Sequence, residues 1–123
     1  MKKIILTLLI LLVAVSAASG SDISHVSVRN KNFEVVKVIK DQQSLQQFEK
    51  AWKEKKKIKN SPLTQWLYKI DIEGKGYGGR WLYDPTGYLQ VLSKVKTPVY
   101  RLSDAESFNK LIGAHNTPQE PVR

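Results

Sequence analysis

Cysteine is absent from this chain of 123 residues. The absence excludes disulfides, thiolate zinc sites, iron–sulfur clusters and cysteine nucleophiles. Histidine is scarce, since His25 and His115 are the only two, and neither has a partner at catalytic or metal-ligand spacing. Asp71 and Glu73 lie two residues apart on one face of a predicted strand, which is more typical of a solvated face than of a catalytic pair. We therefore predict a protein that is not an enzyme, with no catalytic residues, metal or cofactor.

Long hydrophobic runs are also missing, except at the N-terminus. Lys2 and Lys3 precede an apolar run from Ile4 to Val15, and small residues follow at 16–20. The run of about 12 residues is shorter than the roughly 20 that a membrane-spanning helix needs. This layout is typical of a secretory signal peptide, so we predict that residues 1–20 are cleaved and that the protein is periplasmic or secreted. An uncleaved anchor is the alternative.

Acidic residues are few, 11 against 20 Lys and Arg, so the formal net charge is +9. Six lysines crowd into the segment Lys50–Lys59. One interpretation is a solvated helix end whose charge complements the helix dipole. The other is electrostatic capture of an anionic surface or polymer, with Lys53, Lys55, Lys56, Lys57 and Lys59 as the anion-binding residues. No nucleic-acid fold signature accompanies the charge, so we predict no nucleic-acid partner.

The patterning of the remaining chain predicts an α+β fold. Asp41 is a candidate N-cap for a helix over Gln42–Lys57 with one apolar face. A second, shorter helix is predicted after Ser103, because Ser103 and Glu106 have the spacing of a capping box. Gly113 is the predicted end of this helix. The predicted strands are Phe33–Ile39, Trp66–Glu73, Arg80–Tyr83, Tyr88–Val95 and Val99–Leu102, with Asp84-Pro85-Thr86-Gly87 as a tight turn.

The resulting order is β-α-β-β-β-β-α, an antiparallel meander packed on one long helix. This order resembles the cystatin-like arrangement, in which a curved meander wraps a long helix. The sequence has no Gln-x-Val-x-Gly motif, so the resemblance implies no peptidase-binding loop, and fold alone does not assign function. We expect a single domain over residues 33–112, preceded by a segment at 21–32 with a short edge strand and followed by a disordered tail at 113–123.

Aromatic residues are numerous for so small a sheet, and a helix can cover only one of its faces. Core packing explains most of them, but an apolar face left uncovered is typical of an interaction surface. The glycine-rich stretch at 74–79 is either a loose hairpin loop or a partner-contact loop, because Tyr and Arg are favoured at binding hot spots. The predicted partner-binding residues are Tyr77, Arg80, Trp81, Tyr83 and Tyr88.

Together these patterns favour a small exported binding protein with a protein partner in the cell envelope, in an inhibitor or immunity-type role. A homodimer through the same face is a second form of this hypothesis. A cationic envelope protein bound to an anionic surface is the alternative. A small enzyme with a pocket enclosed by the sheet is the least favoured.

Overall fold

A computed structural model describes residues 20–59 and 66–114 of the chain. Residues 1–19 of the predicted signal peptide, residues 60–65 and the predicted tail from His115 onward lie outside this part. Within it, no helix is long and apolar enough to cross a membrane.

The described residues form one seven-stranded antiparallel sheet and two helices, which confirms the α+β prediction. In chain order the elements are β1 (Ile23–Arg29), β2 (Val35–Ile39), α1 (Gln42–Lys53), β3 (Lys56–Ile58), β4 (Tyr68–Gly74), β5 (Arg80–Asp84), β6 (Tyr88–Val91), β7 (Val99–Arg101) and α2 (Ala105–Ile112). The strand order across the sheet is β2-β1-β4-β5-β6-β7-β3. Helix α1 therefore connects a strand at one edge of the sheet with a strand at the opposite edge.

Both helices pack on the same face of the sheet. The N-cap of α1 is Asp41, whose side chain accepts a hydrogen bond from the Ser44 amide at 3.0 Å. The apolar side of α1 buries Leu45, Phe48 and Trp52, as the helical spacing predicts. The sheet contributes alternate residues of β1 and β4, because successive side chains of a strand point to opposite faces. The buried members on those strands include Val26, Val28, Tyr68, Ile70 and Ile72.

The turn between β5 and β6 forms as predicted and is tied to α2. The Gly87 amide donates to the Asp84 carbonyl at 2.8 Å, and Gly87 has a φ of 111° that favours glycine. Asn109 of α2 donates to the Pro85 carbonyl at 2.8 Å and accepts from the Tyr83 hydroxyl. These bonds satisfy buried polar groups and fix the C-terminal helix against the turn.

Helix α2 ends at Gly113, in the left-handed conformation with a φ of 74°, as predicted. Its N-cap is Asp104, which accepts from the Ser107 amide at 3.1 Å, and not the predicted Ser103. The aspartate one residue after the expected serine thus caps the Ser107 amide, where a Ser103 cap would have accepted from the Glu106 amide.

Three other expectations about elements are wrong. Helix α1 ends at Lys53 and not at Lys57, because the following residues form β3 and pair with β7. Strand β1 is not a short edge strand: it has seven residues and neighbours on both sides, β2 and β4. The strand predicted to run to Val95 ends at Val91.

Candidate functional site

The helix-free face of the sheet gathers charged residues from three strands. Ser27 pairs with Asp71 and Arg29 with Lys69 between β1 and β4, and Asp71 pairs with Arg80 between β4 and β5. Cross-strand partners share a face, so these side chains converge. The Arg80 guanidinium donates to Asp71 from Nε at 2.6 Å and from Nη2 at 3.0 Å, while Arg29 Nε lies 3.4 Å from the same carboxylate.

This pairing sets the protonation of the cluster. The hydrogen bonds from Arg80 hold the pKa of Asp71 below its ordinary value, against the opposing effect of burial, and Arg29 adds to the shift. The same hydrogen bonds raise the pKa of Arg80. The carboxylate stays ionised and fixes two guanidinium groups, so the cluster keeps a positive balance.

Phe33 lies over this cluster, in the connection between β1 and β2. Its ring centroid is 4.5 Å from the guanidinium carbon of Arg29, 4.6 Å from that of Arg80 and 5.9 Å from Lys69 Nζ. Cations over an aromatic ring are attracted by its quadrupole. The side chain is nevertheless 44% exposed, so an apolar ring stands in solvent with cations around it.

The backbone of Phe33 has a φ of 65°, which is a genuine outlier for a bulky residue. The Phe33 amide donates to the Asn30 carbonyl at 2.9 Å, and its carbonyl accepts from Arg29 Nη1 at 3.1 Å. The Asn30 side chain accepts from the amides of Asn32 and Glu34, both at 3.0 Å. The surrounding hydrogen bonds therefore hold a conformation that the residue itself disfavours, a combination that clusters at functional sites.

Strand β2, next to Phe33, forms an open edge of the sheet and is exposed along most of its length. Six large hydrophobic side chains of the described residues are exposed, and four of them lie together here: Phe33, Val35, Val36 and Val38. The other two, Leu92 and Val95, follow β6. We call the surface formed by these four residues with Arg29 and Arg80 the hairpin patch.

The predicted partner-binding residues do not form one surface. Arg80 belongs to the hairpin patch. Tyr88 lies on the same face of the sheet, on β6, where it pairs with Asp84 at the other end of β5. Trp81 faces the helices, with its ring centroid 4.9 Å from that of Trp52 in an edge-on contact. Tyr83 is fully buried. The expectation that Trp81 and Tyr83 lie on an uncovered face is wrong, because theirs is the face that the helices cover.

Tyr77 also faces inward. It is half-buried against the core, with its hydroxyl directed to the carboxylate of Glu49 on α1. Burial, together with the interaction with Glu49, raises the pKa of Tyr77 to about 12. Glu49 is also bound by the Ser21 hydroxyl, at 2.8 Å, and by the Asp22 amide, at 3.3 Å. Burial opposes the effect, but these hydrogen bonds hold the pKa of Glu49 below its ordinary value. Tyr77 thus anchors its loop to α1.

The predicted anion-binding lysines are divided among several places. Lys53 lies 3.6 Å from the carboxylate of Glu49. Lys56 and Lys57 alternate along β3 at the edge of the sheet, and Lys59 is exposed beyond it. Lys55 is half-buried among aromatic rings. Four of the five predicted anion-binding lysines are thus exposed, and only Lys55 is half-buried.

Phe33 is not among the predicted site residues, because the residue pattern predicts that it begins a strand, whereas β2 begins at Val35. The turn-forming Asn30-Lys31-Asn32 before it was the available signal. His25 Nδ1 lies 3.6 Å from Glu73 Oε2, and in the described part of the chain no three His, Cys, Asp or Glu residues group as metal ligands would. The two helices leave a groove of about 430 Å³ between them, lined by groups of both charge signs, among them Lys50, Glu54 and Asp104.

Comparison of the chain with protein-family models, with curated proteins and with solved structures finds no match.

Proposed function

We propose that this chain is a small exported, non-enzymatic binding protein that holds an extended, acidic segment of a protein partner on the hairpin patch. The observation that carries the proposal is the concentration of exposed apolar side chains at Phe33 and β2, beside two arginines. Aromatic residues and arginine are enriched at the centres of protein interfaces, and contiguous exposed apolar surface usually marks an interaction site.

The open edge of β2 supports an extended partner. An edge strand presents unpaired backbone donors and acceptors, which another strand can use. In β-strand addition the backbone hydrogen bonds supply affinity, and side-chain pockets supply specificity. Phe33 and Val38 then provide apolar contacts beside the added strand.

Charge favours an acidic partner over a second copy of this chain. Lys37 lies on β2 opposite Val28, on the face that the helices cover, whereas Arg29 of β1 and Arg80 of β5 lie on the helix-free face. Antiparallel pairing of β2 with its own copy about Lys37 sets two lysines opposite each other, which is destabilising. An acidic strand meets the same positions with complementary charge.

Selection of peptides from a random displayed library, with the protein made from Ser21 onward, tests this proposal. We expect enrichment of segments that alternate Asp or Glu with apolar residues. Phe33→Ala and Arg80→Gln should each weaken the selected peptides at least about tenfold. Val95→Ala, an equally simple change at an exposed valine outside the patch, should leave binding unchanged.

Hydrogen exchange adds an independent readout of the binding mode. A peptide that extends the sheet slows exchange of the outward-facing amides of β2, whereas a peptide bound elsewhere does not. The proposal would be refuted if the selected peptides bound the Phe33→Ala and Val95→Ala variants with equal affinity. It would also be refuted if they left the hydrogen exchange of the β2 amides unchanged.

A second candidate is attachment to an anionic surface, supported by the four lysines that remain exposed at the end of α1, on β3 and directly after β3. Binding to vesicles with anionic lipid should then fall steeply with salt, because exposed charges are screened beyond about 8 Å at physiological ionic strength. Joint Lys56→Gln and Lys57→Gln replacement should weaken it, while Phe33→Ala should not. Salt-insensitive binding would exclude this candidate.

A further inference from the structure

Three aromatic rings surround the ammonium group of Lys55. Its Nζ lies 5.0 Å from the ring centroid of Trp52, 5.4 Å from that of Trp81 and 5.2 Å from that of Tyr100. The rings come from α1, β5 and β7, so the tertiary fold assembles them. We call this group of three rings the aromatic cage.

The rings also contact one another without the lysine. Trp81 meets Trp52 edge-on at 4.9 Å and lies 6.0 Å from Tyr100. Trp52 further stacks on Phe48 at 5.1 Å, inside the core. The positions of the three rings are therefore supported by core packing and by their contacts with one another, in addition to their contacts with the lysine.

Lys55 is held in this space by its three ring contacts and one hydrogen bond, without an ion pair among the described residues. Its ammonium donates one hydrogen bond, to the Trp52 carbonyl at 3.2 Å. No ion pair among the described residues includes it, although five others form. Burial lowers the pKa of the Lys55 ammonium, which reflects lost hydration without a compensating carboxylate. A primary ammonium among these rings therefore gains the attraction of the ring faces but loses part of its strong hydration.

We infer that the aromatic cage is a binding site for small quaternary ammonium compounds, with Lys55 as a resident occupant that the ligand displaces. Aromatic cages recognise such cations through the electrostatic attraction of the ring faces. A quaternary ammonium needs no hydrogen bonds and is less hydrated than a primary ammonium, so it suits this space better. The flexible stem of Lys55 allows its ammonium to return to solvent, where it regains hydration.

Tetramethylammonium chloride is the direct probe, with tryptophan fluorescence as the readout since Trp52 and Trp81 are two of the walls. Sodium chloride at matched concentration controls for ionic strength. We expect saturable quenching of the full-length protein. Lys55→Ala should bind about tenfold more tightly, because the ligand no longer has to displace an occupant. Lys53→Ala, at an exposed lysine two residues earlier, should behave as the parent does.

The contribution of the rings is tested at Tyr100, which is only half-buried. In the Lys55→Ala background, Tyr100→Leu should weaken binding at least about fivefold and Tyr100→Phe should preserve it, because the ring alone supplies the attraction. Unfolding curves of the two variants show that each remains folded.

Choline and phosphatidylcholine vesicles separate two sources of the same headgroup chemistry. Saturable binding of choline without vesicle binding assigns the site to a free solute, and binding of both assigns it to a lipid headgroup. The inference is overturned if the parent protein shows no saturable response to tetramethylammonium. It is equally overturned if Lys53→Ala and Lys55→Ala have the same effect, or if Tyr100→Leu binds as Tyr100→Phe does.

Discussion

The carboxylate of Asp71 accepts two hydrogen bonds from the guanidinium of Arg80, at 2.6 and 3.0 Å, across neighbouring strands of the helix-free face. Two parallel bonds fix the plane of the guanidinium as well as its position. Arg29 shares the same carboxylate and packs on Phe33. One aspartate thus orders both arginines that support the exposed ring.

Replacing this carboxylate should reduce stability in a pH-dependent way. Because the pKa of Asp71 is below its ordinary value of 3.8, the folded protein binds this proton less readily than the unfolded chain. The stabilisation is complete above about pH 4 and is lost as the pH falls through the folded-state pKa. We expect Asp71→Asn to lower the free energy of unfolding by roughly 1 kcal/mol at neutral pH, as measured in urea. The loss should shrink below pH 4, and a constant deficit at all pH values would contradict this explanation.

Phe33 should be expendable for folding while it matters for binding. Phe33→Asn relieves a left-handed strain of about 1 kcal/mol and loses cation–π contacts of about 0.5–1 kcal/mol each, so we expect a net change within about 1 kcal/mol. Phe33→Leu loses the contacts but keeps the strain, and it should be the less stable of the two. Urea unfolding compares the variants. A Phe33→Leu protein at least as stable as Phe33→Asn would show that the φ of 65° costs little.

Loss of the Tyr83 hydroxyl should cost more stability than loss of the Tyr88 hydroxyl. Its hydroxyl donates to Asn109, and both residues are buried. Tyr83→Phe leaves the Asn109 acceptor without this donor, at a cost of about 1–3 kcal/mol. Tyr88→Phe, at a half-buried position, is the matched control, with an expected change within about 0.5 kcal/mol. Equal midpoints of thermal unfolding for the two variants would argue against the assigned role.

Gly74 and Gly78 form a matched pair in the glycine-rich stretch. A Cβ at Gly74 meets the Asp22 carbonyl oxygen and comes within 2.7 Å of the Ile23 Cα, whereas a Cβ at Gly78 meets nothing within 4 Å. Because these are backbone atoms, they can move away only if the strand shifts. Gly74→Ala should therefore lower the free energy of unfolding by about 1–3 kcal/mol. Gly78→Ala should be neutral or stabilise by up to about 1 kcal/mol. Denaturant midpoints decide between them, and a tolerated Gly74→Ala would mean that β1 can move away from β4.

Local signals in the sequence predicted the parts of the fold that depend on neighbouring residues. The Asp84–Gly87 turn follows from proline and glycine chemistry, and the stop at Gly113 from the left-handed conformation that glycine tolerates. The alternation of residue types along β4 places Tyr68, Ile70 and Ile72 on one face, and that face is buried. These features need no knowledge of the rest of the molecule.

The predictions that were wrong concern features that depend on residues distant in the chain. Lys56–Ile58 resemble a helix end by composition and become a strand only because β7 offers an edge. Alternation places Trp81 and Tyr83 on one face of β5 but cannot say which face the helices cover. Phe33 has no local preference for a positive φ, and hydrogen bonds from its neighbours impose it. The aromatic cage likewise joins residues from three separated elements.

The course of helix α1 between opposite edges of the sheet has a consequence for how the molecule assembles. Strand β2 pairs with β1 nearby in the chain, but β3 must find β7 across some forty intervening residues. Closing such a long loop is entropically slow, and β3 is short and has its ladder on one side only. We therefore expect the pairing of β3 with β7 to form last during folding and to open first in the native state. Lys55 lies directly before β3.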